Sequence, residues 1–458
     1  MNYLGLLLNL EIHDMVLKKE KESLNTVKIT SMKNISVLLV ITIFLIACKS
    51  NREIERHSPK NVASAQSANE NMHNNPITST QKSEPLSFKR SYSQKKLNKR
   101  TVKEIMKQMS NDKEISSYQL MNFGKNIGGL IAMYRATDSI KYIEEALLLT
   151  ERIIKQTQRG KDILENPKIF KDDYLGWENK NEDFDKHPNG GRDKREIPLF
   201  ESRFLRYVAE MLYIVKNDTQ LKNDKSIYEK TERLIQFLKI NGWQKWYVRG
   251  ENQKPGCYPF LFRSRTHMTS HWAIVALYLE KLSNDKDEKK QYRDFLNLYN
   301  QQLKSNLRLT KDNAYIWNMT WDNPWPFGTE CNKKEENEII QDVDHGNHVV
   351  AYIIAAYELG DENWTKQDVQ RLCNTVKYIL YDKKNIRFFA GLDQNYKIAF
   401  ADGIRMSDGF QYLSRYDKEV YNLFEIVLKN QNNTYKFRLN EPQYVAEKLL
   451  AEKILNHR

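Results

Sequence analysis

Residues 271–303 read HWAIVALYLEKLSNDKDEKKQYRDFLNLYNQQL. An apolar segment closes on Ala276-Leu277-Tyr278, a polar break follows, and a more amphipathic segment runs from Tyr292 to Leu303. Apolar residues recur at α-helical spacing, so the stretch predicts a hairpin of one largely buried helix and one half-exposed helix. The same unit is written elsewhere. Ala132-Met133-Tyr134, Met211-Leu212-Tyr213 and Ala355-Ala356-Tyr357 end apolar segments in the same way, and their amphipathic partners are Ile143 to Ile154, Ile227 to Leu238 and Val369 to Leu380. The four tyrosines lie 79, 65 and 79 residues apart, room for a hairpin plus a connecting loop. A less regular fifth unit spans Ser407 to Leu428, and a closing helix runs from about Pro442 to Leu455.

Apolar helices alternating with half-polar ones predict an all-α fold over 105–458, an (α/α) toroid of about five to seven helical hairpins whose apolar helices form the inner ring. An open α-solenoid shares the pattern, but its repeats are usually shorter and its loops more uniform. Long loops rich in aromatics, Gly and Pro precede the inner helices: Asp172 to Pro198, Trp243 to Arg265, Tyr315 to Asp344 and Phe388 to Met406. Loops of that length are usually functional. Each enters an inner helix from the same side, so one end of the ring is expected to carry the cleft.

The N-terminal part is organised differently. Met32-Lys33 opens a short basic segment, Ile35 to Ile46 is nearly all apolar, and Leu45-Ile46-Ala47-Cys48 closes it. This resembles a bacterial lipoprotein signal with its lipobox, which implies lipidation of Cys48, an exported chain and a membrane anchor, and leaves residues 1–31 as an upstream extension. The apolar run is too short for a mature membrane-spanning helix. Residues 49–104 are rich in Ser, Asn, Gln and Lys and are expected to be a disordered tether. They also hold most of the formal net charge of +13, so the basic balance does not call for a nucleic-acid partner. No cysteine spacing is of the metal-binding type. Cys257 and Cys331 sit in loop-like sequence and can pair in an oxidising compartment, although two buried free thiols fit equally well.

The densest chemistry is Asp342-Val343-Asp344-His345-Gly346-Asn347-His348, at the start of the fourth inner helix. His345 and His348 share a helical face, Asp344 is the expected N-cap, and the helix N-terminus favours an anionic ligand. The third inner helix carries Arg263, Arg265, His267 and His271 at its equivalent end, where arginines can grip carboxylates. Arg405 lies between two Asp-Gly steps, and Tyr412 and Tyr416 follow at i and i+4. Trp317, Trp321 and Trp325 are suited to stacking on sugar faces or, equally, to a small satellite cluster.

These residues resemble those of bacterial α-toroid polysaccharide lyases acting on alginate or glucuronan, in architecture over residues 105–458 and in motif at His345, Asn347, His348, Arg405, Tyr412 and Tyr416. The resemblance implies β-elimination on an acidic polysaccharide. Asn347 and Arg405 would neutralise the uronate carboxylate, His345 or His348 would take the C5 proton, Tyr412 or Tyr416 would protonate the leaving oxygen, and Glu338 would orient His345. The His-Gly-Asn-His run departs from the Asn-Asn-His form of that family. No metal or cofactor is called for, and Asp342, His345 and His348 do not form an established zinc motif. The chain is expected to act as a monomer.

Two other readings stand beside this one. An inverting glycoside hydrolase of six-hairpin type needs two carboxylates, for which Glu330, Asp342, Asp344, Asp402 and Asp408 are candidates. A surface lipoprotein that binds glycans without catalysis would need only the tryptophan loop.

Overall fold

The computed structural model describes residue 115 and residues 117–164, 166–179, 196–321, 339–393, 405–430 and 442–457. The lipobox and Cys48, the tether, Trp325, Glu330, Cys331, Glu338 and Asp402 lie outside the described residues.

Six elements form the inner layer: Leu120–Thr137 (α1), Pro198–Asn217 (α3), Thr266–Leu282 (α6), Val343–Glu358 (α8), the 3-10 helix Phe410–Arg415 and Pro442–Asn456 (α11). In that order each packs on the next, and α11 packs on α1. The ring therefore closes, which separates a toroid from an open solenoid. The outer helices are Lys141–Ile154 (α2), Lys225–Phe237 (α4), Lys286–Asn306 (α7), Lys366–Asn374 (α9) and Lys418–Asn430 (α10). Among the described residues no helix is long and apolar enough to cross a membrane.

The sequence explains both layers. In α6 nearly every residue from Thr266 to Leu279 is buried, because neighbouring inner helices, its own outer helix and the ring interior enclose it. In α7 burial is confined to one stripe, including Tyr292, Phe295, Leu296, Tyr299 and Leu303, with Lys and Asp on the other face. Each such side chain fully removed from water contributes about 1.5–3 kcal/mol. Asp224 and Asp285 cap α4 and α7 through backbone N–H groups, and Thr365 with Asp368 forms a capping box on α9. In α1, glycine permits close packing: a Cβ on Gly128 would stand 2.5 Å from the Tyr207 ring. That contact offsets the usual cost of glycine inside a helix.

One segment departs from expectation. Trp243 to Arg265 reads as loop, yet the second outer helix continues through a π-helical turn, Leu238–Gln244, into Lys245–Gln253 (α5). The reason is a buried ionic cluster. Lys245 Nζ lies 2.7 Å from Glu201 and 3.2 Å from Glu196, and Arg249 Nη2 lies 3.1 Å from Glu196. Helix presents Lys245 and Arg249, four residues apart, on one face, where both reach these carboxylates. Cys257 is disulfide-bonded, while Cys373 is a buried free thiol whose pKa burial pushes up to about 12.

Candidate active site

The chain enters α8 on a short scaffold: Gln341 N donates to Trp317 O, Leu392 N to Gln341 O, and Val343 N to Ala390 O. Asp342, extended and buried, is therefore the N-cap in place of Asp344. Its Oδ1 accepts from His345 N at 2.9 Å, and its Oδ2 lies 2.8 Å from His345 Nδ1. A carboxylate at Nδ1 favours the tautomer with hydrogen on that nitrogen, leaving Nε2 as a proton acceptor. The His345 side chain is 42% exposed, so this dyad faces the mouth of the ring. Released from capping, Asp344 projects outward and holds Arg405 Nη1 at 2.8 Å. The two are sixty-one positions apart in sequence and meet because the fifth inner element packs on α8.

Asn347 has a different place from the one expected. Its Nδ2 donates to Arg405 O and its Oδ1 accepts from Phe410 N, so both ends of the amide clasp the turn before the fifth inner element. Close docking there needs Gly409, since a Cβ would stand 1.9 Å from Asn347 O.

The histidines of α6 and α8 stack in two pairs, His267 on His345 and His271 on His348, each with ring centroids 4.2 Å apart. His267, His271 and His348 are buried. Burial, then the positive potential of Arg203 and the neighbouring imidazoles, holds all three pKa values well below the ordinary 6.5, and Arg206 adds to this for His271 and His348. They are neutral at physiological pH.

Beneath the mouth lies Asp408, whose position the sequence offered only as one of five possible acids. It accepts from Tyr207 Oη and from Arg206 Nη2 at 3.0 Å, with Arg203 Nη2 at 4.0 Å. Burial alone would raise its pKa, but Arg206, Lys125 and Arg203 outweigh that and keep it well below the usual carboxylate range. Arg203, Arg206 and Tyr207 escaped the sequence reading. The available signal was a pair of arginines three residues apart within helix α3, most of which is buried, where a charge facing inward needs a partner.

Several expected residues are elsewhere. Tyr416 Oη donates to Glu358 at 2.5 Å, at the last residue of α8, whereas His345 is the third; the rise of a helix puts them about 20 Å apart. The Tyr412 hydroxyl accepts from Gln443 Nε2 at 3.0 Å and is pushed far up in pKa by burial first. Trp317 is fully buried against Phe410, and Trp321 packs on Phe262 with its Nε1 donating to Arg263 O, so both belong to a packed cluster. Arg263 and Arg265 flank the start of α6, partly exposed. Among the described residues no three His, Cys, Asp or Glu side chains converge on a metal-sized point.

No family model and no curated protein matches this chain. The solved structures it is similar to include two inactive variants of the α-1,6-mannanase GH76A of Salegentibacter sp. HEL1_6, in complex with α-1,6-mannotriose (TM-score 0.40) and α-1,6-mannotetrose (TM-score 0.39). Each is 12% identical to this chain, with 77% of this chain and 98% of the other covered.

Proposed function

We propose that the chain is an exported, Cys48-lipidated enzyme that hydrolyses glycosidic bonds of an acidic polysaccharide at the mouth of the toroid. The observation that carries this reading is the pair Asp344 and Asp408. Asp344 is half-exposed at the mouth, Asp408 is held ionised below it, and the negative charge of both is felt by Arg203. An inverting hydrolase needs two carboxyl groups about 6.5 to 9.5 Å apart, and Asp344 and Asp408 are the pair we assign to that role. Lys125, Arg203, Arg263, Arg265 and Arg405 around the mouth favour an anionic chain over a neutral one.

Elimination is less well served. Asn347 is occupied in its clasp, Tyr412 is buried, and Tyr416 is a helix length away. The one feature favouring it is the Asp342–His345 dyad, a ready base.

The test is to incubate purified protein with alginate, glucuronan, pectate and neutral α-1,6-mannan, following reducing ends and near-ultraviolet absorbance together. We expect reducing ends without the chromophore, faster on an acidic polymer, and a loss of about 10²–10⁴-fold in Asp344→Asn. The chromophore would instead establish elimination, and binding without cleavage would establish a glycan-binding lipoprotein. Cys48→Ser is expected to abolish membrane fractionation; unchanged fractionation refutes the anchor.

A further inference from the structure

The half of the ring away from the mouth contains a polar cavity on the axis. Its walls include Arg135, Arg206, Glu210, Glu358, Tyr412 and Arg415. Most of the charge there is paired. Glu358 binds Arg135 at 3.1 Å and Arg415 at 3.2 Å, Arg415 also binds Glu447, and Glu210 stands 3.7 Å from Arg135.

Arg206 is the exception. It is 3% exposed, and its Nη2 reaches Asp408 and Tyr207, but Nε and Nη1 are buried with no acceptor among the described residues. A guanidinium only donates, so these hydrogens call for an acceptor from outside the described residues, an anion or a buried water. Among the described residues its one carboxylate partner, Asp408, is shared with Arg203 and the Tyr207 hydroxyl. Nearby, His271 has both ring nitrogens without a hydrogen-bond partner among the described residues, and His348 Nδ1 stands 3.9 Å from Asp408, beyond hydrogen-bond reach. Burial outweighs the pull of Arg135 and Arg415 and raises the Glu210 pKa, which weakens the nearest alternative source of negative charge.

The remaining wall is mainly apolar, with Ile274, Ala351, Ile354 and Ala355 beside the phenols of Tyr207 and Tyr278. A phosphate or carboxylate needs several donors around its oxygens, and this site offers few. A small polarisable ion tolerates apolar contact beside two N–H groups.

We propose that Arg206 forms an internal anion site and that its occupant is a monovalent inorganic anion of the chloride class, which completes the charge of the polar column through the ring. The site adjoins the reaction proposed at the mouth, because the same guanidinium also holds Asp408 through Nη2.

Crystals of the parent protein soaked in sodium bromide provide the direct test. An anomalous peak within hydrogen-bond reach of Arg206 Nε and Nη1 supports the site; no peak there, or peaks only at the surface, overturns it. In solution, the midpoint of thermal unfolding is expected to be about 2–4 °C higher in sodium chloride than in sodium gluconate of equal ionic strength. Arg206→Met should abolish that difference. Identical midpoints of the parent in the two salts overturn the proposal, and the crystal experiment stands even if the variant does not fold.

Discussion

Tyr416 Oη donates to Glu358, which also receives Arg135 and Arg415, at the end of α8 remote from the histidines. Burial would raise the Glu358 pKa, but the two arginines and the phenol outweigh it and bring it to about 2. The phenol is therefore part of a structural cluster. Tyr416→Phe should leave turnover within about twofold of the parent and cost about 1.5–3 kcal/mol in stability, the value of one hydrogen bond to a charged group. Activity assays and urea unfolding check this; a loss of turnover without a loss of stability would return Tyr416 to the chemistry. The opposite pattern is expected of Asp344→Asn, because its carboxylate is half-exposed and holds no part of the core.

At the scale of elements, the decisive joint is between α8 and the 3-10 helix Phe410–Arg415. Asn347 clasps the turn by its amide, and Gly409 lies against Asn347 O. The backbone at Gly409 is extended, with φ of 177°, so the requirement is for space and not for a left-handed conformation. A methyl there must push the two elements apart. Gly409→Ala is expected to destabilise by about 3 kcal/mol and to lower activity with it, since the same turn carries Arg405 and Asp408 to the mouth. Unchanged unfolding in denaturant would show that the joint adapts.

Over the whole molecule, the buried polar column makes stability depend on pH with a definite sign. His267, His271 and His348 have native pKa values far below 6.5, while the unfolded chain titrates near that value. As pH falls through about 6.5 the unfolded state takes up protons that the native state does not. Their contribution is fully present above that pH and is lost below it, by about 1.4 kcal/mol per pH unit for each histidine once well below. Asp408 and Glu358, lowered by their arginines, extend the loss below the ordinary carboxylate range. Urea unfolding at about pH 7.5 and about pH 5.5 should therefore differ by several kcal/mol; equal stabilities would mean that the histidines are not held neutral.

The alternation of apolar and amphipathic helices was legible from residues such as Ala276-Leu277-Tyr278 and Tyr292 to Leu303, because helix burial follows a short-range period that sequence displays directly. The cluster from Asp342 to His348 was legible for the same reason, as chemistry concentrated within two turns. What each side chain does was decided only by the closed ring. Whether Asp342 or Asp344 caps α8 depends on a scaffold from Trp317, Ala390 and Leu392; whether Asn347 is free depends on a turn nearly sixty residues away. Arg203, Arg206 and Tyr207 gain their meaning only when α3 brings them to Asp408 from 201 residues away. Contacts between distant segments follow from how the helices pack, and no local pattern encodes them.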